Sequence, residues 1–179
     1  MINSIKLIYN CIYIYINKVN LHTEIFAYTD GSLMRKGGKI YCGYGIYFSG
    51  GEYKSISRKF THEPITNNRA ELYAILKTII LTNKLDNCRI LSNMPRIKKL
   101  IIYSDSEYSV KTYNEWLSKW LKSGKEYLNS DIINETMDHM KNAQFKIVFI
   151  HVRAHTGKND PHSLANAIVD ELAKKGAMK

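Results

Sequence analysis

At 179 residues the chain is long enough for one domain of roughly 150 residues with a short appendage, and its 45% hydrophobic, 23% charged composition excludes a disordered, collagen-like or disulfide-framework protein. Lysine and arginine number 26 against 16 acidic residues, a formal charge of +10, so polyanions are the favoured partners, nucleic acid before anionic membrane. Cys11, Cys42 and Cys88 are odd in number and far apart, with no Cys-x-x-Cys pair, and read as reduced thiols of an intracellular, cytoplasmic chain rather than as a metal or redox site.

Residues 1–22 form an N-terminal extension biased towards Ile, Tyr, Asn and Lys. Its apolar run 7–16 follows Lys6 and has the length of a signal-peptide core, but it lacks a small-residue cleavage site, and the extension has no arginine for a mitochondrial transit peptide. Nothing approaches the ~20 apolar residues that span a bilayer, so no membrane partner is expected. The extension either adds a strand or stays disordered.

In 24–30, Ile25, Ala27 and Thr29 alternate with Phe26, Tyr28 and Asp30, the period of a strand that ends in a carboxylate. The β-forming segments 41–49 and 52–60 are joined by Gly50 and Gly51, which can supply a tight hairpin turn, so the first third is a β-meander. From Thr66 a stripe of Leu72, Ile75, Leu76 and Ile79 predicts a buried helix, with Asn68 and Glu71 at capping-box spacing. A polar connection, 83–99, leads into the apolar run 100–105, a central strand closed by a second carboxylate, Asp105. Helices follow over 106–122, broken by Gly124, and 131–141; then come a strand over 145–152 and a last helix opened by Asp160 and Pro161, carrying Asp170 and stopped by Gly176. The order βββαβααβα describes an α/β domain, a mixed sheet flanked by helices.

Taken singly, the four carboxylates have ordinary explanations: Asp30 as a turn residue, Glu71 as a capping partner, Asp105 as an N-cap and Asp170 as a solvated helix position. Yet two strands ending together in Asp30 and Asp105 would set two anions side by side. Such groups repel unless cations intervene, and hard oxygen ligands without thiolates favour Mg²⁺ or Mn²⁺.

The local sequences carry more than periodicity. Tyr28-Thr-Asp30-Gly-Ser32, Thr66-Asn-Asn-Arg-Ala-Glu71-Leu, Tyr103-Ser-Asp105-Ser-Glu-Tyr108, His151-Val-Arg-Ala-His155-Thr-Gly157 and Asn166-Ala-Ile-Val-Asp170-Glu-Leu-Ala173 occur in the order found in type 1 ribonucleases H. The chain resembles that family from about Thr23 to Lys175. The resemblance implies a ribonuclease H-like fold over 23–179, a five-stranded mixed sheet with helices on both faces. It further implies a monomer that hydrolyses the RNA strand of RNA–DNA hybrids to 5′-phosphate and 3′-hydroxyl products.

By the same resemblance Asp30, Glu71, Asp105 and Asp170 are the metal-binding carboxylates around two Mg²⁺ ions, with Asp30 between them, and His155 is a mobile histidine assisting proton transfer or product release. Gly31, Asn67 and Asn68, with Ser32 beside them in the first motif, fall where the family contacts the hybrid. A backbone amide or carboxamide there suits a 2′-hydroxyl, which both donates and accepts. Asn166 shares a helix face with Asp170 and could orient that carboxylate or bound water. Trp116, Lys119, Trp120, Lys122 and Lys125 resemble a basic protrusion that grips the DNA strand; the competing reading is two core tryptophans with solvated lysines opposite. His151 reads as structural, and Arg35, Lys36 and Lys39 as phosphate contacts or a charged loop. Glu107 departs from the glutamine of many bacterial members and would add an acid near the metals. The rival functions are a non-catalytic hybrid-binding module of the same fold, and a domain detached from a reverse transcriptase or a relative acting on Holliday junctions.

Overall fold

The computed structural model describes residues 22–153 and 159–179. The apolar run 7–16 and His155 therefore lie outside the described residues. The strands are β1 (Glu24–Lys36), β2 (Lys39–Phe48), β3 (Ile56–Lys59), β4 (Lys99–Ser104) and β5 (Lys146–His151). The helices are α1 (Asn67–Leu91), α2 (Glu107–Lys111), α3 (Leu117–Ser123), α4 (Ser130–Lys141) and α5 (Pro161–Ala177), with a π-helical turn over Thr112–Trp116 joining α2 to α3.

The five strands lie in the order β3-β2-β1-β4-β5. The central strand is β1, antiparallel to β2 from Ala27↔Phe48 to Lys36↔Lys39 and parallel to β4 from Glu24↔Lys99 to Thr29↔Ser104. Side-chain alternation sends Ile25 and Ala27 into the larger core beneath α1 and α4, and Phe26 and Tyr28 into the smaller one beneath α5. Helices thus cover both faces, as the sequence implies. Asp30 is not at a strand end: β1 runs six residues further, and what stops at Thr29 is its pairing with β4. The hairpin with β2 keeps the strand extended through a position that, by strand length alone, would be a turn.

Three other expectations change. The third strand is only Ile56–Lys59, because the residues before it dock on α1 instead: Glu52 is buried and the Tyr53 hydroxyl donates to the Leu81 carbonyl at 2.9 Å. The segment 83–99 is not a connection throughout, since α1 continues to Leu91. Two of its charged residues, Asp86 and Arg89, look solvent-facing in sequence but are paired inside the protein. Asp86 accepts from the Ile97 amide at 2.8 Å and from Arg96 at 2.6 Å, and Arg89, 2% exposed, donates to the His22 carbonyl at 2.8 Å. Gly176 does not stop α5, which continues through Ala177.

That glycine instead lets the helix lie against β3, where a Cβ would stand 2.5 Å from the Arg58 carbonyl oxygen. Gly43 of β2 has the same function from the other side: a Cβ there would collide with the backbone of Gly176 and Ala177. With side chains removed from the contact, α5 settles on the sheet at backbone distance. Gly43→Ala should therefore cost about 1–3 kcal/mol, the range for overpacking a filled interface. The check is urea unfolding, with the midpoint lowered and the m-value unchanged.

Candidate active site

Where β4 ends, Asp105 follows its last residue, and on the neighbouring strand Asp30 follows the last residue paired with it. Glu71 enters from α1. The cap of that helix is Thr66, whose hydroxyl accepts from the Arg69 amide at 3.2 Å, so the expected Asn68–Glu71 capping box does not form and Glu71 is released to face the sheet. Gly31 makes its approach possible, because a Cβ at that position would lie 2.6 Å from the Glu71 amide nitrogen. Arg69, 3% exposed, fixes the same turn through two bonds to Asp131 of 2.8 and 2.6 Å and one to the Glu63 carbonyl at 3.1 Å.

The result is a group of three carboxylates, Asp30, Glu71 and Asp105, with one oxygen of each within 4.8 Å of the others. Asp30 and Glu71 are 5% and 4% exposed. Burial first, then the charge of Asp105, pushes the Asp30 pKa up to about 7; burial followed by the charge of Asp30 raises Glu71 well above the ordinary range. Glu71 Oε1 accepts a long bond from Asn67 at 3.4 Å, whereas its buried Oε2 has no partner. An orphaned buried carboxylate oxygen facing two other carboxylates suits a divalent cation. The all-oxygen donor set suits a hard one.

Asn166, 5% exposed on α5, donates from Nδ2 to Asp105 Oδ2 at 3.0 Å, while its own Oδ1 is buried without a partner. His151, exposed at the end of β5, has Nε2 3.2 Å from the Asp105 carbonyl oxygen. Asp170 lies near enough for its charge to raise the Asp30 pKa, but it stands outside the three-carboxylate group, paired with Lys174 at 2.6 Å. Glu107 pairs with Lys111 at 2.6 Å, and that ammonium holds its carboxyl below the usual range.

The other sequence-predicted residues are spread over β1, α1 and the stretch 116–125. Ser32 sits on β1 opposite Gly43, and Asn67 and Asn68 are exposed at the start of α1. Trp116 and Trp120 are half-buried in an aromatic row: Trp116 meets Tyr108 edge-on at 5.8 Å, and Trp120 stacks on Tyr127 at 5.0 Å. Lys119, Lys122 and Lys125 are exposed beside them. The rings of this segment are packed and its lysines are open to solvent. Sequence reasoning missed His162, which hydrogen-bonds Tyr28 behind the site, and Lys174, the partner of Asp170. The i,i+4 spacing of Asp170 and Lys174 is a readable signal; the pairing of residues 28 and 162 is not.

The family model described as RNase H matches residues 22–178. The chain belongs to the ribonuclease H family. It is 34% identical over 164 residues to the "Probable ribonuclease H" of Acanthamoeba polyphaga mimivirus, a match covering 87% of this chain and 64% of that protein. It is 31% identical over 161 residues to the "Ribonuclease H" of Francisella tularensis subsp. novicida, covering 85% of this chain and 90% of that one. The chain spans about half the length of the fission yeast and mouse relatives it matches. The foamy viral protease-reverse transcriptase, solved in complex with RNA/DNA hybrid, shares the fold: the TM-score is 0.66 at 21% identity, over 86% of this chain and 20% of that one.

The raised carboxyl pKa values make a signed prediction for this ribonuclease H family member. A carboxyl whose folded pKa exceeds its unfolded one binds more protons when folded, so its contribution to stability is full below the unfolded pKa and is lost as pH rises through the folded one. In the absence of divalent ions, thermal stability should therefore fall between pH 5 and pH 8. Mn²⁺ should raise the melting temperature most at pH 8, where the group is most anionic. Asp30→Asn should flatten the metal-free pH dependence; differential scanning fluorimetry across pH, with and without Mn²⁺, checks both.

Proposed function

We propose that this chain cleaves the RNA strand of RNA–DNA hybrids endonucleolytically, leaving 5′-phosphate and 3′-hydroxyl ends. The observation that carries the reading is the mutually repelling trio Asp30, Glu71 and Asp105, the first two of them buried, in a member of the ribonuclease H family. These residues, with Asp170 beside them, would hold two divalent cations, Mg²⁺ or its substitute Mn²⁺. When bound, such ions supply charge for activating water and stabilising the leaving oxygen of a phosphodiester.

The chain's own groups supply the rest. Asn166 orients Asp105 through its amide, and Asn67 holds Glu71. Gly31, Ser32, Asn67 and Asn68 would meet the hybrid, where a backbone amide or a carboxamide suits a 2′-hydroxyl. His155 takes the role of assisting proton transfer or product release, with the near-neutral pKa of an imidazole suiting it to both. Lys119, Lys122 and Lys125 contribute sequence-independent attraction for phosphates, in line with the formal charge of +10. Residues 23–179 act as a monomeric catalytic domain in an intracellular, cytoplasmic setting.

The test is product mapping on an end-labelled hybrid, with duplex RNA and duplex DNA alongside. RNA-strand cleavage of the hybrid alone supports the reading; duplex RNA cleaved as fast as hybrid overturns the substrate, and hybrid binding without cleavage marks a non-catalytic module. Asp105→Asn should keep the fold and hybrid binding while lowering turnover roughly 10²–10³-fold, the scale of losing one electrostatic stabiliser. Circular dichroism, a binding titration and single-turnover cleavage check these three outcomes.

The lysines allow a separate prediction. Replacing Lys119, Lys122 and Lys125 with alanine should flatten the slope of log affinity against log salt by ~0.7–0.9 for each phosphate no longer neutralised. The apparent KM for long hybrids should rise with turnover at saturation retained, because the binding removed is shared by ground and transition states. Affinity titrations from low to high salt provide the measurement.

A further inference from the structure

Behind the carboxylates lies an aromatic cluster that the chemistry above does not use. Tyr28 stands two residues before Asp30 on β1, so the two share a sheet face, and Tyr103 of β4 lies two residues before Asp105, which follows that strand. The two rings are 4% and 9% exposed and stack with centroids 4.8 Å apart. His162, in the first turn of α5, closes over them: its ring centroid is 4.7 Å from that of Tyr103, and its Nδ1 lies 2.8 Å from the Tyr28 hydroxyl. The backbone of that turn is fixed independently by Asp160, which accepts from the amides of His162 and Ser163, each at 3.1 Å.

Residues 162, 166 and 170 are spaced by four and share a face of α5. The first holds Tyr28, the second donates to Asp105, and the third brings its charge to Asp30. Apolar contacts and glycine clearances set the height of the helix on the sheet, whereas its axial position and rotation depend on directional contacts; one, from Lys179 Nζ to the Ser57 carbonyl at 2.6 Å, lies just past its C-terminal end. The Tyr28–His162 hydrogen bond ties the first turn of the helix to β1. The Asn166–Asp105 bond, one turn later, uses an atom of the site itself.

We propose that His162 and Tyr28 are positioning residues, whose hydrogen bond sets the register of α5 against β1 and β4 and thereby places Asn166 and Asp170 at the carboxylate trio. The proposal rests on the reading of that trio as a divalent-metal site. Outer contacts of this kind typically change metal affinity or activity by about 10–100-fold when removed.

The test uses the full chain with His162→Phe, which keeps a flat ring, Tyr28→Phe, which keeps the stack, the double variant, and His162→Asn, which returns a polar atom near the position of Nδ1. Each is measured by calorimetric Mn²⁺ titration without nucleic acid, by kcat and KM on a hybrid, and by urea midpoint. Each phenylalanine variant should weaken Mn²⁺ binding and lower kcat roughly tenfold with KM unchanged. The double variant should be no worse than either single, and His162→Asn should recover most of the deficit. A lowered urea midpoint with wild-type Mn²⁺ affinity and kcat would overturn the proposal and leave the cluster as core packing, as would additive effects in the double variant. Failure of the wild-type chain to cleave hybrid would sink the catalytic reading alone, because the Mn²⁺ titrations still decide whether residues 28 and 162 set the site.

Discussion

Repulsion among Asp30, Glu71 and Asp105 is the constraint to which the rest of the structure responds. Three carboxylates whose oxygens converge within 4.8 Å, two of them buried, oppose folding unless protons or cations intervene, so the surrounding fold must hold them together against their own charge. The holding is distributed. β1 and β4 fix two of the groups by parallel pairing that ends at Thr29↔Ser104, and α1 brings the third over Gly31, where no Cβ stands in the way.

The same constraint accounts for the neighbouring polar residues. Arg69 is almost wholly buried so that the first turn of α1 is pinned to Asp131 and Glu63 rather than left to relax away from Asp30. Asn166 offers a neutral donor to Asp105, and Lys174 a charged one to Asp170. A neutral amide tolerates cation occupancy nearby better than a buried ammonium would. The ammonium of Lys174 is correspondingly at the solvent-facing side, with a side chain 45% exposed. α5 carries both donors and is seated closely because Gly43 and Gly176 remove the side chains that would lift it.

Legibility in the sequence follows the range of the interaction. The helices and strands that depend on local periodicity are readable, as are the Asp160–Pro161 start of α5 and the break at Gly124. Misreadings arise where a polar residue has a distant partner. Asp86 and Arg89 make residues 83–99 look like a loop, although they bind Ile97, Arg96 and His22 from within α1. Glu71 has the spacing of a local capping partner, but Thr66 caps the helix and Glu71 crosses to the sheet. Gly176 looks like a stop because glycine commonly follows a helix, whereas here it is the residue on which the helix rests.

By itself the sequence determined the α/β class, the identity of the acidic residues in their motifs and the strongly basic charge, because these depend on residue type, order and short-range period. Tertiary structure decided which carboxylates meet. Asp30, Glu71 and Asp105 are separated by 41 and 34 positions and converge only through strand pairing and a helix docked across β1. It also decided that Asp170 stands aside with Lys174, that Trp120 packs on Tyr127, and that His162 reaches Tyr28 across 134 positions. The physical reason is that hydrogen bonds and ion pairs act over a few ångströms, and chain separation leaves those distances open until the sheet register and the seat of α5 close them.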